Sequence, residues 1–258
     1  MEPPTPVDTR RIALEVAYDG TSFLGWQRQA RGRTVQGELE RMLGQLSGDV
    51  PVTLTGAGRT DTGVHAAGQI AHADVTSRFD DARLAHALAR MSPDDIAIRR
   101  LVTVSPRFHS RYDAISREYC YTIIERPDPF RSRYAWRVDW QLDDRLLDAS
   151  AALLLGRHDF TALSKNNPDT ENPVCTVDRS IWRRQSDRLE FRVRSDRFLY
   201  GMVRLLVGIQ IDIARGRRQP EEIVMLIKSA AREGRSQAAP AHGLSLVEVR
   251  YPEPIFPL

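Results

Sequence analysis

The sequence predicts an α+β fold built from two tandem halves, each with the element order of a ferredoxin-like unit. Three observations predict it. Strand-like and helix-like segments follow the order β-α-β-β-α-β, and this order occurs twice along the chain. The stretch between the strands at 50–56 and 68–75 is too short for a crossover helix, so this pair is antiparallel. The 258 residues suffice for one large domain or two small ones.

The first half contains four strands and two helices. Apolar residues at helical spacing predict the helices, and short segments rich in β-branched residues predict the strands. In chain order these are a strand at 11–18, a helix at 34–47, strands at 50–56 and 68–75, a helix at 81–91 and a strand at 95–104.

The second half repeats the order with one extra helix that starts after Pro220. Its elements are a strand at 117–125, a helix at 146–155, a hairpin of strands at 177–185 and 188–195, helices at 198–214 and 221–230, and a strand at 243–251. We therefore predict a disordered arm at 1–10, an N-terminal domain at 11–110 and a C-terminal domain at 111–258.

The basic residues are almost all arginine. Only Lys165 and Lys228 are lysines among 37 basic residues, which leaves 35 arginines. A GC-rich genome would explain this excess, and so would a polyanionic partner, because arginine binds phosphate through a planar fork. The net charge of +3 means that any phosphate-binding surface is a local patch. Candidate patches are Arg28, Arg31 and Arg33; Arg107 and Arg111; and Arg215, Arg217 and Arg218.

No apolar run reaches the length of a membrane span, and the N-terminus lacks the apolar core of a signal peptide. Cys120 and Cys175 have neither metal nor redox spacing, so a reducing cytoplasm is the expected compartment.

The stretch GAGRTDTGVHAAGQ (56–69) surrounds one carboxylate, Asp61, with glycines. It lacks the Gly-Lys-Ser/Thr of a P-loop and does not open a helix, so we interpret it as an irregular loop between strands. Its glycines permit close approach of another chain. An aspartate that caps the loop is the alternative interpretation. A glycosidase would need a second carboxylate, for which Asp74 and Asp196 remain candidates.

A metal site at this loop is not expected. His65 and His72, with Asp61 and Asp74, have a spacing that matches neither one helix face nor the common zinc patterns. We therefore interpret both histidines as structural, and we predict no metal.

Arg204 is the one basic residue in the middle of the apolar helix at 198–214, which we expect to be buried nearly all round. Asp212 lies two turns away and is a poor partner, so Arg204 needs an acid outside its helix or an exit to water. Asp61 is our hypothesis for that acid, with the two halves facing each other across a cleft.

Seven segments now identify a resemblance to the tRNA pseudouridine synthase A family over nearly the whole chain. GRTDTGVHA is the most specific of them. In the family's order they are YDGTSFLGWQRQ (18–29), TVQGELE (34–40), GRTDTGVHA (58–66), REYCYTI (117–123), GRHDFTALS (156–164), FLYGMVRLLVG (198–208) and APAHGLSL (239–246). The chain departs from the family at Asp196 and Arg197 and at ARMSPDD (89–95).

The resemblance implies two ferredoxin-like halves around a central cleft, a homodimer and no cofactor. It implies isomerisation of uridine to pseudouridine in the anticodon stem-loop of tRNA, at positions 38–40. Asp61 resembles the catalytic aspartate, Arg59 a residue that holds the RNA as the target base flips out, and Tyr119 the ring that stacks on the uracil. Arg204 resembles the partner of the catalytic acid, and Leu244 an apolar residue lining the pocket.

The expected chemistry explains a lone acid in a glycine-rich loop. The N1–C1′ bond breaks, the uracil turns, and C5 joins C1′. An ionised carboxylate either attacks C1′ or removes the C2′ proton, and it must reach a nucleotide extruded from its stack. The phenol of Tyr119 is a candidate relay for the C5 proton, although a strand tyrosine packed in the core is the alternative. The competing interpretation of the whole chain is a non-catalytic RNA-binding protein of tandem ferredoxin-like modules.

Overall fold

The computed structural model describes residues 9–168, 170–231 and 236–256. The chain divides into two compact units: the first is Met1–Ile115 together with Glu248–Leu258, and the second is Ser116–Val247. Most of the arm predicted at 1–10 lies outside the described residues, but Thr9 and Arg10 already belong to a strand. No helix in the described ranges is long and apolar enough to cross a membrane.

The first unit contains an antiparallel sheet with two helices. Strand β1 lies between β3 and β4 and pairs with both, and β2 pairs with β3. The elements are β1 (Thr9–Tyr18), α1 (Val35–Leu46), β2 (Leu54–Gly56), β3 (His65–Thr76), α2 (Asp81–Met91) and β4 (Ile96–Thr103).

Side-chain caps fix where both helices of the first unit begin. Thr34 accepts a hydrogen bond from the Gly37 amide before α1, and Asp80 accepts one from the Arg83 amide before α2. Each cap satisfies an amide that has no acceptor within the helix. The buried side chains of α1, among them Leu39, Met42 and Leu43, recur at the spacing that predicted the helix.

The second unit has the strand order β10-β5-β9-β8-β7, and β6 runs parallel beside β5. The hairpin between β8 and β9 turns at Ser186 and Asp187 as predicted, with Ser186 at a φ of 57°. The elements are β5 (Ser116–Ile124), β6 (Trp136–Arg137), α3 (Asp144–Ala152), β7 (Gly156–Asp159), β8 (Val174–Gln185), β9 (Arg188–Ser195), α4 (Met202–Ala214), α5 (Glu221–Ser229) and β10 (Leu244–Arg250).

The C-terminal tail belongs to the first unit, which differs from the predicted domain at 111–258. Tyr251 Oη donates to the Ser110 carbonyl at 2.6 Å, and the Ile115 amide donates to the Arg250 carbonyl at 2.8 Å. Phe256 packs in a buried cluster with Ala13 and other apolar residues of the first unit. These long-range contacts have no periodic signal in the sequence.

Helix α4 is the most apolar helix of the second unit, and eleven of its thirteen residues are buried. It begins at Met202 and not at the predicted residue 198, because Gly201 has a φ of 66° and interrupts the helical backbone. Trp182 Nε1 donates to Gln210 Oε1 at 2.8 Å, so the one amide side chain buried in this helix is hydrogen-bonded.

Substitution of Gly208 tests how closely α4 is packed against residue 237. An alanine Cβ at this position would lie 2.0 Å from the Gln237 carbonyl oxygen, which is backbone and cannot swing away. We expect Gly208→Ala to lower the free energy of unfolding by about 1–3 kcal/mol, despite the better helix propensity of alanine. Gly44→Ala in α1 is the matched control, since its Cβ meets the Val50 carbonyl at 3.2 Å. Denaturant unfolding of both variants measures the difference, and equal stabilities would contradict the close packing.

Candidate active site

The glycine-rich stretch folds as an irregular loop, residues 57–64, between β2 and β3. Asp61 is half-buried on it, and Arg59 is exposed. The Val64 amide donates to the Asp61 carbonyl at 3.1 Å, and Gly63 has a φ of 77°, so the chain turns tightly just after the acid. The loop presents an aspartate and an arginine two positions apart.

Main-chain hydrogen bonds hold this loop against residues 20–26. The Trp26 amide donates to the Thr60 carbonyl at 3.1 Å, immediately before Asp61. The Gly63 amide donates to the Phe23 carbonyl at 3.4 Å, on the other side of the acid. The backbone on both sides of Asp61 is therefore attached to one neighbouring segment.

Buried side chains strengthen the same attachment. Tyr18 Oη and Thr60 Oγ1 are hydrogen-bonded at 2.8 Å in the interior. Gln69 is fully buried on β3, and its Nε2 donates to the Gly58 carbonyl at 2.8 Å. Both contacts fix residues of the loop that precede Asp61, so the backbone that carries the carboxylate is held in place.

Glycines make the close approach possible. Gly25 has a φ of 90°, and a Cβ there would lie 2.5 Å from the Thr60 carbonyl oxygen. A Cβ at Gly20 would lie 2.1 Å from the Val64 carbonyl oxygen, and one at Gly56 would meet the Trp26 indole at 2.6 Å. Periodicity did not reveal these residues, although Gly20, Gly25 and Trp26 stand in the segment YDGTSFLGWQRQ that carried the resemblance.

His65 has a structural part in this arrangement. Its Nδ1 accepts a hydrogen bond from the Gly20 amide at 2.9 Å, and Asp19 Oδ1 lies 3.2 Å from the same nitrogen. Because Nδ1 accepts, the ring proton is on Nε2 in the neutral form. Within the described ranges, no group of three or more His, Cys, Asp and Glu residues is arranged to hold a metal ion.

Arg204 has a hydrogen-bond acceptor outside its own helix. Its Nε donates to the Ala239 carbonyl at 2.7 Å, and the Ala239 amide donates back to the Arg204 carbonyl at 2.9 Å. The side chain is half-buried within α4. This reciprocal pair ties the middle of α4 to the segment that leads into β10.

The neighbouring residues of the second unit are tightly packed. Tyr121 Oη donates to the Pro240 carbonyl at 2.9 Å, and a Cβ at Gly243 would lie 2.6 Å from the Tyr121 ring. Burial raises the pKa of the Tyr121 phenol far above its usual value, although the positive charge of Arg204 lowers it. Tyr121 therefore stays protonated and donates its hydrogen bond.

Tyr119 and Leu244 are buried in the same unit. Tyr119 lies on β5 opposite Val193, with its ring edge-on to Phe198 at a centroid distance of 5.1 Å. Leu244 is the first residue of β10 and is 5% exposed. Of the five residues predicted for the site, Asp61 and Arg59 thus lie in the first unit, and Tyr119, Arg204 and Leu244 in the second.

Several arginines of the predicted patches form ion pairs with acidic residues of the protein. Arg33 donates to both carboxylate oxygens of Asp95 and to Glu38, and its guanidinium lies 4.2 Å from the Phe23 ring centre. Arg28 is paired with Glu40 and Arg218 with Glu222. Arg33 is therefore a structural residue, which corrects its assignment to a phosphate-binding patch.

The fold and the loop together define the class of protein. It is an α+β protein of mainly antiparallel strands, and a firmly attached loop carries a half-buried aspartate with an exposed arginine beside it. The model of the tRNA pseudouridine synthase family matches residues 15–113 and 150–252. The chain belongs to this family.

Curated relatives agree with the family match. The protein is 41% identical to the tRNA pseudouridine synthase A of Halalkalibacterium halodurans, over 91% of this chain and 90% of that one. It is 40% identical to the enzyme of the same name from Chlorobium limicola, over 94% of this chain and all of the other. The corresponding protein of Parabacteroides distasonis is 38% identical over 96% of this chain and 99% of its own.

Gly25 provides a test of the loop attachment. We expect Gly25→Ala to push the Thr60 carbonyl away and to weaken the bond from the Trp26 amide, because the new Cβ meets backbone. Hydrogen exchange at the Trp26 amide and across residues 57–64 should therefore become faster.

The matched control is Gly32→Ala. Gly32 has nearly the same φ, 88°, but a Cβ there meets only the end of the flexible Leu24 side chain. It carries the same backbone strain without touching the loop. Unchanged exchange in Gly25→Ala, or equal acceleration in both variants, would refute the attachment.

Proposed function

We propose that this protein converts uridine to pseudouridine in tRNA, at positions 38–40 of the anticodon stem-loop. The observation that carries the proposal is the half-buried Asp61, held from both sides in the segment GRTDTGVHA of a chain that belongs to the tRNA pseudouridine synthase family. The names of the curated relatives support the same activity.

The reaction sets what the chain must supply. The N1–C1′ bond breaks, a C5–C1′ bond forms, C5 loses a proton and N1 gains one, so atoms and electrons balance within the substrate. The protein needs an ionised group at the ribose, a surface for the flipped base and a path for the C5 proton.

Asp61 is the group that we assign to the ribose. Two routes use its carboxylate: attack at C1′, which gives a covalent intermediate, or removal of the C2′ proton, which gives a glycal. Either route needs the oxygen atoms at a defined place. The bonds at Thr60 and Gly63 hold the backbone that carries these oxygen atoms, which supports the assignment.

The other site residues take roles that follow from their chemistry. Arg59 is exposed beside the acid and suits a phosphate of the flipped nucleotide. Tyr119 presents a ring for the uracil and a phenol for the C5 proton, and Leu244 an apolar wall. We keep the pairing of Arg204 with Asp61 as a prediction from the sequence.

We also propose the finer architecture and setting implied by the resemblance: tandem ferredoxin-like halves around a cleft, a homodimer, and a cytoplasmic location. The orders β4-β1-β3, with β2 on β3, and β10-β5-β9-β8 support the first of these. The free and buried Cys120 and Cys175 are compatible with a reducing compartment.

The proposed function is tested on unmodified tRNA. We expect wild-type protein to form pseudouridine at positions 38–40, detected by chemical labelling and sequencing. Asp61→Asn should abolish turnover, by at least about 10³-fold, and leave the tRNA dissociation constant within a few-fold, since the isosteric amide cannot serve as base or nucleophile.

Asp148→Asn is the control for the loss of one negative charge, because Asp148 is exposed on α3. It should retain wild-type turnover. Tight tRNA binding by wild-type protein without any pseudouridine would favour the non-catalytic RNA-binding alternative. Substantial turnover by pure Asp61→Asn would remove Asp61 from the chemistry.

Tyr119 is tested by removal of its hydroxyl alone. Tyr119→Phe keeps the ring that packs on Phe198, so base stacking and KM should change little. If the phenol relays the C5 proton, kcat should fall by roughly 10²–10⁴-fold, the usual contribution of a positioned general acid or base. Tyr200→Phe, a half-exposed tyrosine of the same unit, is the control. Wild-type kcat in Tyr119→Phe would restrict Tyr119 to stacking.

A further inference from the structure

We propose that residues 107–112, RFHSRY, form a platform on which an unpaired base of the RNA substrate stacks, with Tyr112 as the stacking ring and Arg107 and Arg111 facing the adjacent phosphates. The inference rests on the proposed function, because it takes RNA as the substrate. It adds a binding surface in the first unit, apart from the residues assigned to the reaction.

Tyr112 carries the stacking role because it is both exposed and supported. Its side chain is 75% exposed. One face of its ring lies on His109, with centroids 4.3 Å apart and planes inclined by 28°. An aromatic ring that is supported from one side and open to solvent elsewhere is suited to stack a base, and one such stack contributes about a 5- to 150-fold gain in affinity.

Hydrogen bonds within the segment hold the platform in one conformation. His109 Nδ1 accepts hydrogen bonds from the amides of Arg111 and Tyr112 at 3.2 and 3.3 Å. The His109 amide donates to Asp113 Oδ2 at 2.8 Å, and the Asp113 amide donates to the His109 carbonyl at 3.0 Å. Binding to a preformed surface avoids the entropy cost of ordering a loop.

The platform is attached to the strands that carry the Asp61 loop. Ser110 Oγ donates to the Thr55 carbonyl at 2.7 Å, and the Ser110 amide donates to His72 Nδ1 on β3 at 3.1 Å. The His72 ring lies 4.7 Å from that of His109. Burial, together with the nearby charges of His109 and Arg11, lowers the pKa of His72 to about 4, although Asp74 and Asp113 oppose this shift. His72 is therefore neutral and accepts at physiological pH.

This attachment limits the distance between the platform and Asp61. Thr55 precedes Asp61 by six residues, and even a fully extended chain of that length spans only about 20 Å. Ser110, which anchors the platform at Thr55, is therefore held in the neighbourhood of Asp61, so one RNA molecule can contact both.

The charges near Tyr112 favour RNA as the occupant. Arg107 and Arg111 are both exposed, and the Arg111 guanidinium lies 5.8 Å from the Tyr112 ring centre. Among the described contacts, the side chain of Arg107 has no acidic partner, and Asp113, the acid that directly follows the segment, accepts from the His109 amide. Aromatic rings interleaved with arginine are typical of surfaces that bind single-stranded RNA.

The first experiment measures KM, kcat and the dissociation constant on unmodified tRNA for three variants. We expect Tyr112→Ala to raise KM and the dissociation constant by about 5- to 150-fold with kcat changed far less, because a stack outside the reaction stabilises ground and transition states alike. Tyr112→Phe keeps the ring and should stay within about twofold of wild type. Phe130→Ala removes a ring that is 89% exposed in the second unit and should leave all three quantities unchanged.

A second experiment separates phosphate contact from stacking. Arg107→Ala should reduce the slope of log Kd against log salt concentration by about 0.7–0.9, the value for one phosphate contact. Arg99→Ala, an exposed arginine of β4, is the control and should leave the slope unchanged.

Several outcomes would overturn the platform. The platform is refuted if Tyr112→Ala has the KM and dissociation constant of wild-type protein while circular dichroism shows that its fold is intact. If Tyr112→Ala differs from wild-type protein in molar mass, measured by light scattering, then Tyr112 contacts a second copy of the chain and not RNA. If wild-type protein forms no pseudouridine, the proposed function fails, while the dissociation constants still decide whether Tyr112 contacts RNA.

Discussion

Two stretches of backbone, residues 20–26 and 60–65, approach so closely that no side chain fits at Gly20 or Gly25. Gly20 and Gly25 would each place a Cβ within 2.5 Å of a carbonyl oxygen across the contact. The geometry of the acid depends on this constraint, because the bonds at Thr60 and Gly63 exist only at that distance. A carboxylate on an unsupported loop would have to be ordered each time a ligand bound, whereas the backbone on both sides of Asp61 is already held.

In the second unit, α4 also depends on close approach of the backbone at a glycine. Because Gly208 has no side chain, the Gln237 carbonyl packs directly against the helix. Arg204 and Ala239 form two hydrogen bonds with each other. One residue further on, the Pro240 carbonyl accepts from Tyr121 on β5. Helix, strand and the approach to β10 are thus tied at one place. An arginine fits in the apolar helix because a backbone carbonyl accepts from it, whereas a buried guanidinium without an acceptor would cost several kcal/mol.

The sequence revealed elements whose burial repeats along the chain and missed those set by contacts between distant residues. The alternating burial of β9 and the buried stripe of α1 follow directly from the positions of apolar residues. Strand β6 has two residues and β7 four, too few for any period to appear. The start of α4 moved because of one glycine backbone angle, and the tail after Arg250 joined the first unit through Tyr251 and Phe256.

The candidate site shows the same division. Composition and motif singled out Asp61 and Arg59 as candidates, since a lone acid among glycines is unusual at the level of sequence. Neither identified Tyr18 or Gln69, which hold the loop, because a buried tyrosine or glutamine looks like any other core residue until its acceptor is known. Arginine count was equally uninformative: Arg33 and Arg184 each engage two acids, so part of the excess serves the fold. An acid that must approach a polyanion needs a nearby cation whose charge is not already neutralised. Arg59 lies two positions from Asp61, and the described contacts include no acidic partner for it. Its position, and not the number of arginines, is therefore the reason to keep it among the candidate site residues.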